Sequence, residues 1–237
     1  MKSFPKIKEV ELYLCGGYVR DHILNKIAHD RDFVAITKLS FNELVKAVET
    51  AGGKVFQAKE EFLTIRCRFG KEAIDIALPR SENNYTDNRH PDEVTRVDTL
   101  KEDASRRDFT INAMYMNEQG EITDFFEGKE DLEGGLIKCV GAPDERFKED
   151  ALRILRAARF AIKYDFNIEP ETRHAMIRNK NTLSTISQER IRDELNKCLL
   201  LKQKRTTEVL SEIGLWDLLI NKGLWLKLTS EKVPHGI

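Results

Sequence analysis

The chain has 237 residues, 41% of them hydrophobic and 33% charged, with a formal net charge of −1. This balance is ordinary for a globular protein with a real core, and the length suits one large domain or two modest ones. It excludes a surface coated in basic residues. No apolar run approaches the roughly 20 residues of a membrane helix, and the opening Met-Lys-Ser-Phe-Pro lacks the apolar stretch of a secretory signal, so a cytoplasmic protein with no membrane partner is expected.

Charge is unevenly spread. Residues 1–140 carry 21 Lys and Arg against 26 Asp and Glu, whereas residues 141–237 carry 18 against 14. An acidic front that concentrates metal-binding carboxylates, followed by a basic part that tracks phosphates, suits an enzyme acting on nucleic acid. Cys15, Cys67, Cys139 and Cys198 are widely spaced in apolar segments and read as buried thiols. The five histidines form no zinc-like or nucleophile-activating cluster.

In chain order, Val10 to Cys15 suits a buried strand, Gly16-Gly17 breaks it, Tyr18 to Ile27 reads as a helix and a second strand begins at Arg31. Unpaired N–H groups at a glycine turn and a helix start carry partial positive charge, so this corner suits a phosphate chain. Asp30 and Asp32 are one residue apart, which on a strand puts both on one side and Arg31 on the other. Paired carboxylates of this kind bind Mg²⁺. Alone, a Gly-Gly is usually only a tight turn and an Asp-x-Asp usually only solvated; their combination between two strands points to phosphate and metal chemistry.

Ser40 and Glu43 make a capping box for a helix stopped by Gly52-Gly53. Strands follow at Lys54 to Ala58, Phe62 to Phe69 and Ala73 to Leu78. Asp75 lies between two isoleucines in the last of these, so it faces either water or a ligand, and it is a candidate third catalytic carboxylate. Pro79 to Pro91 is polar and reads as a long mobile loop. In Ser105 to Met114, Arg106, Arg107 and Asp108 could grip a nucleotide's phosphates and ribose, though Arg-Arg-Asp alone reads as a salt-bridged surface turn.

A short strand near Glu121 to Phe126, a turn at Gly128 and a last strand at Leu136 to Val140 complete the sheet-bearing part. Helical periodicity then runs over about 144–163, 170–181, 187–202 and 205–213, which puts a domain boundary near 142. The first of these helices carries Arg146, Glu149, Asp150, Arg153, Arg156 and Arg159. One reading is a solvated face of i, i+3 and i, i+4 ion pairs. The other is that Asp150 and Arg153 present an acceptor and a donor to a base edge, accepting cytosine and adenine and rejecting uracil and guanine.

Together LCGGYVRD, DRD, RRDFTINAM, DFFEGKEDLEGGLI and RFKEDALRILRAARF resemble the class II tRNA nucleotidyltransferases, the CCA-adding enzymes, and the bacterial poly(A) polymerases, over about residues 10 to 200. The resemblance implies an α+β fold: a polymerase-β-like nucleotidyltransferase head at 1–142, with a mixed, mostly antiparallel sheet and flanking helices, and an all-helical neck at 143–237. It implies that Asp30 and Asp32 bind the catalytic metal, that Gly16 and Gly17 turn over the triphosphate, and that Arg107 and Asp108 hold phosphate and ribose. Arg20 and Asn112, inside the same motifs, join the nucleotide-binding set. Glu149, Asp150 and Arg153 match the EDxxR element in which aspartate and arginine act as a protein template for the base. Arg156 and Arg159 are further candidates for neutralising the triphosphate. Ser187 to Leu195 is similar to the last motif, a helix supporting the neck. The 79–91 loop falls where the family switches from CTP to ATP, and its full length leans toward adding the terminal A.

The reaction implied is two-metal phosphoryl transfer from CTP or ATP to an RNA 3′ end, most naturally that of tRNA. Family members continue into further helical regions that hold tRNA, whereas this sequence ends soon after the neck. A longer chain, an oligomeric partner or a different acceptor would each account for that. A poly(A) polymerase acting on general RNA ends, and a non-catalytic RNA-binding module, are the alternatives.

Overall fold

In a computed structural model, residues 3–28, 30–83, 93–201 and 203–216 are described. Among them the chain divides into two compact units, residues 3–83 with 93–132, and residues 133–216.

The first unit is built on a seven-stranded sheet. Its elements are β1 (Val10–Cys15), α1 (Gly17–Ile23), β2 (Arg31–Thr37), α2 (Phe41–Thr50), β3 (Lys54–Lys59), β4 (Thr64–Phe69), β5 (Glu72–Ala77), β6 (Arg80–Asn83), β7 (Glu93–Arg96), α3 (Leu100–Ser105), β8 (Met114–Met116), β9 (Ile122–Asp124) and α4 (Gly128–Glu133). The strand order is β3-β4-β5-β2-β1-β8-β9. Only β2 and β5 run parallel; the other neighbours are antiparallel, so the sheet is mixed and mostly antiparallel as expected. The middle of β2 is buried on both faces through Phe33, Val34 and Ala35, which anchors the strand that begins with the paired aspartates. The α2 capping box is formed: the Ser40 hydroxyl accepts from the Glu43 N–H, and the Glu43 carboxylate accepts from the Ser40 N–H at 2.8 Å.

Several local expectations are corrected. Helix α1 ends at Ile23 rather than Ile27 because Asn25 turns left-handed at φ 53°. The strand expected from Phe62 begins at Thr64, after a 3₁₀ turn at Glu60–Phe62 closed by Leu63 at φ 54°. Part of the expected loop is ordered as β6, paired antiparallel with β7; residues 84–92 lie outside the described residues. Helix α3, capped by Thr99, precedes the Arg-Arg-Asp motif and was not expected. The turn at Gly128 opens α4, and only glycine fits there, since an added Cβ would meet the Thr110 carbonyl oxygen at 2.2 Å.

The second unit comprises β10 (Leu136–Ile137), α5 (Pro143–Glu149), α6 (Leu152–Tyr164), β11 (Asn167–Ile168), α7 (Pro170–Asn179), α8 (Gln188–Leu199) and α9 (Gln203–Glu212). The segment expected to finish the large sheet instead pairs in parallel with β11, within the second unit. The single helix expected over 144–163 is two helices, because Asp150 is extended (φ −139°, ψ 103°). Helix α6, with Ile154, Leu155, Ala158, Ala161 and Ile162 fully buried, is the core element against which α8 and α9 pack. All four cysteines are free and buried, as expected. Among the described residues no helix is long and apolar enough to cross a membrane.

Candidate active site

Alternation along β2 separates Arg31 from its acidic neighbours. Arg31 is 4% exposed, lies over the Phe4 and Phe33 rings and donates to Glu72 at 3.2 Å. Asp30 and Asp32 are exposed. The register then sets Asp32 opposite Asp75 on β5, and Asp75 opposite Arg66 on β4. Arg66 donates from Nε and Nη2 to the two Asp75 oxygens at 2.7 and 2.8 Å. These side chains line an open cleft of about 560 Å³ together with Phe56 and Ile74.

Although Asp32 reaches solvent, the protein crowding its carboxyl in the cleft strips water from it and pushes its pKa up, the nearby Asp75 and Asp30 push it further, and Arg107 and Arg66 pull it back only in part. Negative charge is thus concentrated here, as a cation site requires. Among the described residues no group of three or more His, Cys, Asp or Glu side chains is arranged to hold a metal ion. Asp75, expected as a possible third ligand, has both oxygens on Arg66 and acts on Asp32 as a neighbouring charge.

The glycine turn carries two guanidiniums. Gly16 has φ 64°, and a Cβ there would stand 3.3 Å from Arg107 Nη1; one on Gly17 would stand 3.3 Å from Arg20 Nη2. Arg20 is buried and donates to the Asn112 side-chain oxygen at 2.6 Å, and Asn112 Nδ2 donates to Asp108 at 3.0 Å. Arg20, distant in sequence, therefore joins Asn112 and Asp108 in one chain of hydrogen bonds beside the turn.

What fixes Arg107 is a residue the sequence reading passed over. Asp103, fully buried, accepts from Arg107 Nη2 at 2.9 Å, from Arg106 Nη2 at 2.7 Å and from the Tyr115 hydroxyl at 2.7 Å. Burial alone would raise its pKa, but Arg107 and Arg106 outweigh burial and hold the carboxyl well below the usual range. Arg106 also meets Glu82 of β6 at 2.8 Å. The signal available in sequence was the i, i+3 and i, i+4 spacing of Asp103 to the two arginines.

In the second unit Arg153 is buried and ion-paired with Glu149, which also holds Arg146, as the i, i+4 spacing predicts. Asp150 accepts from the Leu152 N–H at 3.0 Å and from Arg190 of α8 at 3.3 Å. Arg156 and Arg159 lie over the Phe160 ring of their own helix, and Arg159 also donates to buried Glu194 at 2.6 Å, which ties α6 to α8.

A paired-aspartate strand, a glycine turn flanked by guanidiniums and a mixed sheet of this order define a nucleotidyltransferase head. Comparison with known proteins agrees. Residues 12–138 match the family model of the poly A polymerase head domain, and residues 165–225 match that of the probable RNA and SrmB-binding site of polymerase A. A CCA-adding enzyme of Lactobacillus delbrueckii subsp. bulgaricus is 44% identical over 207 residues, covering 86% of this chain and 51% of that protein. The crystal structure of the Bacillus stearothermophilus CCA-adding enzyme in complex with CTP aligns at a TM-score of 0.74 and 33% identity, over 86% of this chain and 48% of that one. The Thermotoga maritima CCA-adding enzyme complexed with tRNA CCA aligns at 0.73 and 29% identity, over 90% and 49%. The chain belongs to the family of class II tRNA nucleotidyltransferases and bacterial poly(A) polymerases, and it spans about half the length of these relatives.

Proposed function

We propose that the chain is the catalytic part of a template-independent nucleotidyltransferase that adds C and A from CTP and ATP to the 3′ end of tRNA and releases pyrophosphate. The observation that carries this reading is the register that puts Asp32 beside Asp75, next to Asp30 and within the field of Arg107 at the glycine turn. The relatives named above, bound to CTP and to tRNA, support the choice of substrates.

Asp30 and Asp32 are the residues that would hold a divalent metal, Mg²⁺ by its preference for carboxylate and phosphate oxygens, with the rest of its shell from substrate and water. When bound, the metal supplies Lewis acidity to the RNA 3′ hydroxyl and to the triphosphate. The chain's own residues do the rest. Arg107 and Arg20 neutralise phosphate oxygens at the Gly16-Gly17 turn, and Asp108, oriented by Asn112, accepts from a ribose hydroxyl. Asp150, fixed by the Leu152 N–H and Arg190, and Arg153, fixed by Glu149, form the acceptor and donor that select the base.

The test is a gel of radiolabelled tRNA lacking its last three nucleotides, incubated with the chain and one or more nucleotides. Addition of a short defined end from CTP and ATP, with little from UTP or GTP, is the expected result. Long tails from ATP alone on any RNA would overturn it in favour of a poly(A) polymerase.

A further inference from the structure

The open cleft beside Asp30 and Asp32 contains a side chain that the proposed chemistry leaves unused. Phe56 is 53% exposed, a large apolar surface on β3, the edge strand of the sheet. Its direction is built into the strand. Val55 pairs with Cys67 and Gln57 with Arg66, so Phe56 is the extra residue of a β-bulge. Bulges re-aim side chains, and this one brings Phe56 into the wall of the cleft with Asp30, Asp32, Arg66 and Asp75.

The cleft also continues. A second hollow of about 300 Å³ shares Arg66 and Asp75 with the first and carries on along β3 and β4 past Lys59 and Phe62. Arg66 stands between the two hollows, 55% exposed; its Nε and Nη2 hold Asp75, and among the described residues its Nη1 has no partner. Lys59 lies 5.6 Å over the Phe62 ring. An exposed ring beside the paired carboxylates, with Arg66 and Lys59 beyond it, offers what a single strand needs: a flat face for a base and positive charge for the phosphates that follow. The hollow that continues along β3 and β4 gives room beyond a single nucleotide.

We propose that this groove seats the single-stranded 3′ end of the RNA acceptor, with Phe56 stacking its terminal base and Arg66 and Lys59 meeting its phosphates. The inference rests on the nucleotidyltransferase reading for its choice of RNA, and its test does not need catalysis.

Binding of a fluorescently labelled single-stranded RNA hexamer to the 237-residue chain is followed by anisotropy in EDTA at low salt. Phe56→Ala is expected to weaken binding about tenfold and Phe56→Leu similarly, while Phe56→Trp stays within about twofold of wild type, because stacking needs a ring and not merely apolar bulk. Circular dichroism checks that each variant is folded. In turnover, Phe56→Ala should raise the KM for the RNA acceptor and leave the KM for CTP unchanged. Wild-type affinity in Phe56→Ala, no measurable RNA binding by the wild-type chain, or a rise confined to the KM for CTP would each overturn the proposal. A chain that binds RNA with this dependence on Phe56 yet adds no nucleotide would uphold the groove and refute the proposed function.

Discussion

The two units hold their candidate residues by different means. In the first, Arg107 is placed by residues from several elements: Asp103 on α3, Tyr115 on β8 and the close approach of Gly16. In the second, Arg153 is placed by Glu149 one turn away and Asp150 by the N–H of Leu152, contacts made within a few residues. The first arrangement needs the whole sheet assembled before any part of it is right. The second is largely local, with Arg190 the long-range addition. Damage to the first should therefore appear as lost stability, and damage to the second as altered selectivity on a chain that still folds.

The strongest test of that contrast is Asp103→Ala. It leaves two arginines without their shared buried carboxylate, which should cost about 3–5 kcal/mol in urea unfolding. The sign with pH is set by its depressed pKa: the stabilisation is complete above the unfolded value of about 3.9 and is lost as pH falls below it. The wild-type advantage over Asp103→Asn should therefore hold at neutral pH and shrink in acid; an equal gap at pH 7 and in strong acid would place the stabilisation elsewhere.

Arg153→Ala should move stability less and selectivity more. A charge-assisted hydrogen bond worth about 1.5–3 kcal/mol predicts that the preference for CTP over UTP falls by roughly tenfold or more. Unchanged selectivity in competition assays would remove Arg153 from base choice. Gly16→Ala should cost about 1–2 kcal/mol from the left-handed backbone, and the approach to Arg107 should lower incorporation as well, read from thermal melts and initial rates together. The smallest effect belongs to Ser40→Ala, which removes a helix cap that does not line the cleft: about 1 kcal/mol of stability, with the rate per folded molecule unchanged.

This same division explains what could be read from the sequence. The β1 strand, the capping box of α2, the outward pair Asp30 and Asp32 with Arg31 turned inward, and the Glu149–Arg153 pair are consequences of short-range periodicity, and all are found. Asp103 was invisible as a hub because its meaning depends on Tyr115 and on Glu82 reached through Arg106. The break at Asp150 was hidden by helical periodicity that continues across it; the carboxylate instead accepts from the Leu152 N–H and pairs with Arg190 of α8. Strand β10 has only two residues, too few to show by alternation which sheet it would join.

Asp30 and Asp32 carry the central claim, and their alanine variants test it most directly. Incorporation of CTP and ATP is measured on tRNA lacking its last three nucleotides, with the fold of each variant confirmed by circular dichroism. Loss of several kcal/mol of charge stabilisation predicts a fall on the order of 10³-fold for either variant. Wild-type rates in both would contradict the account.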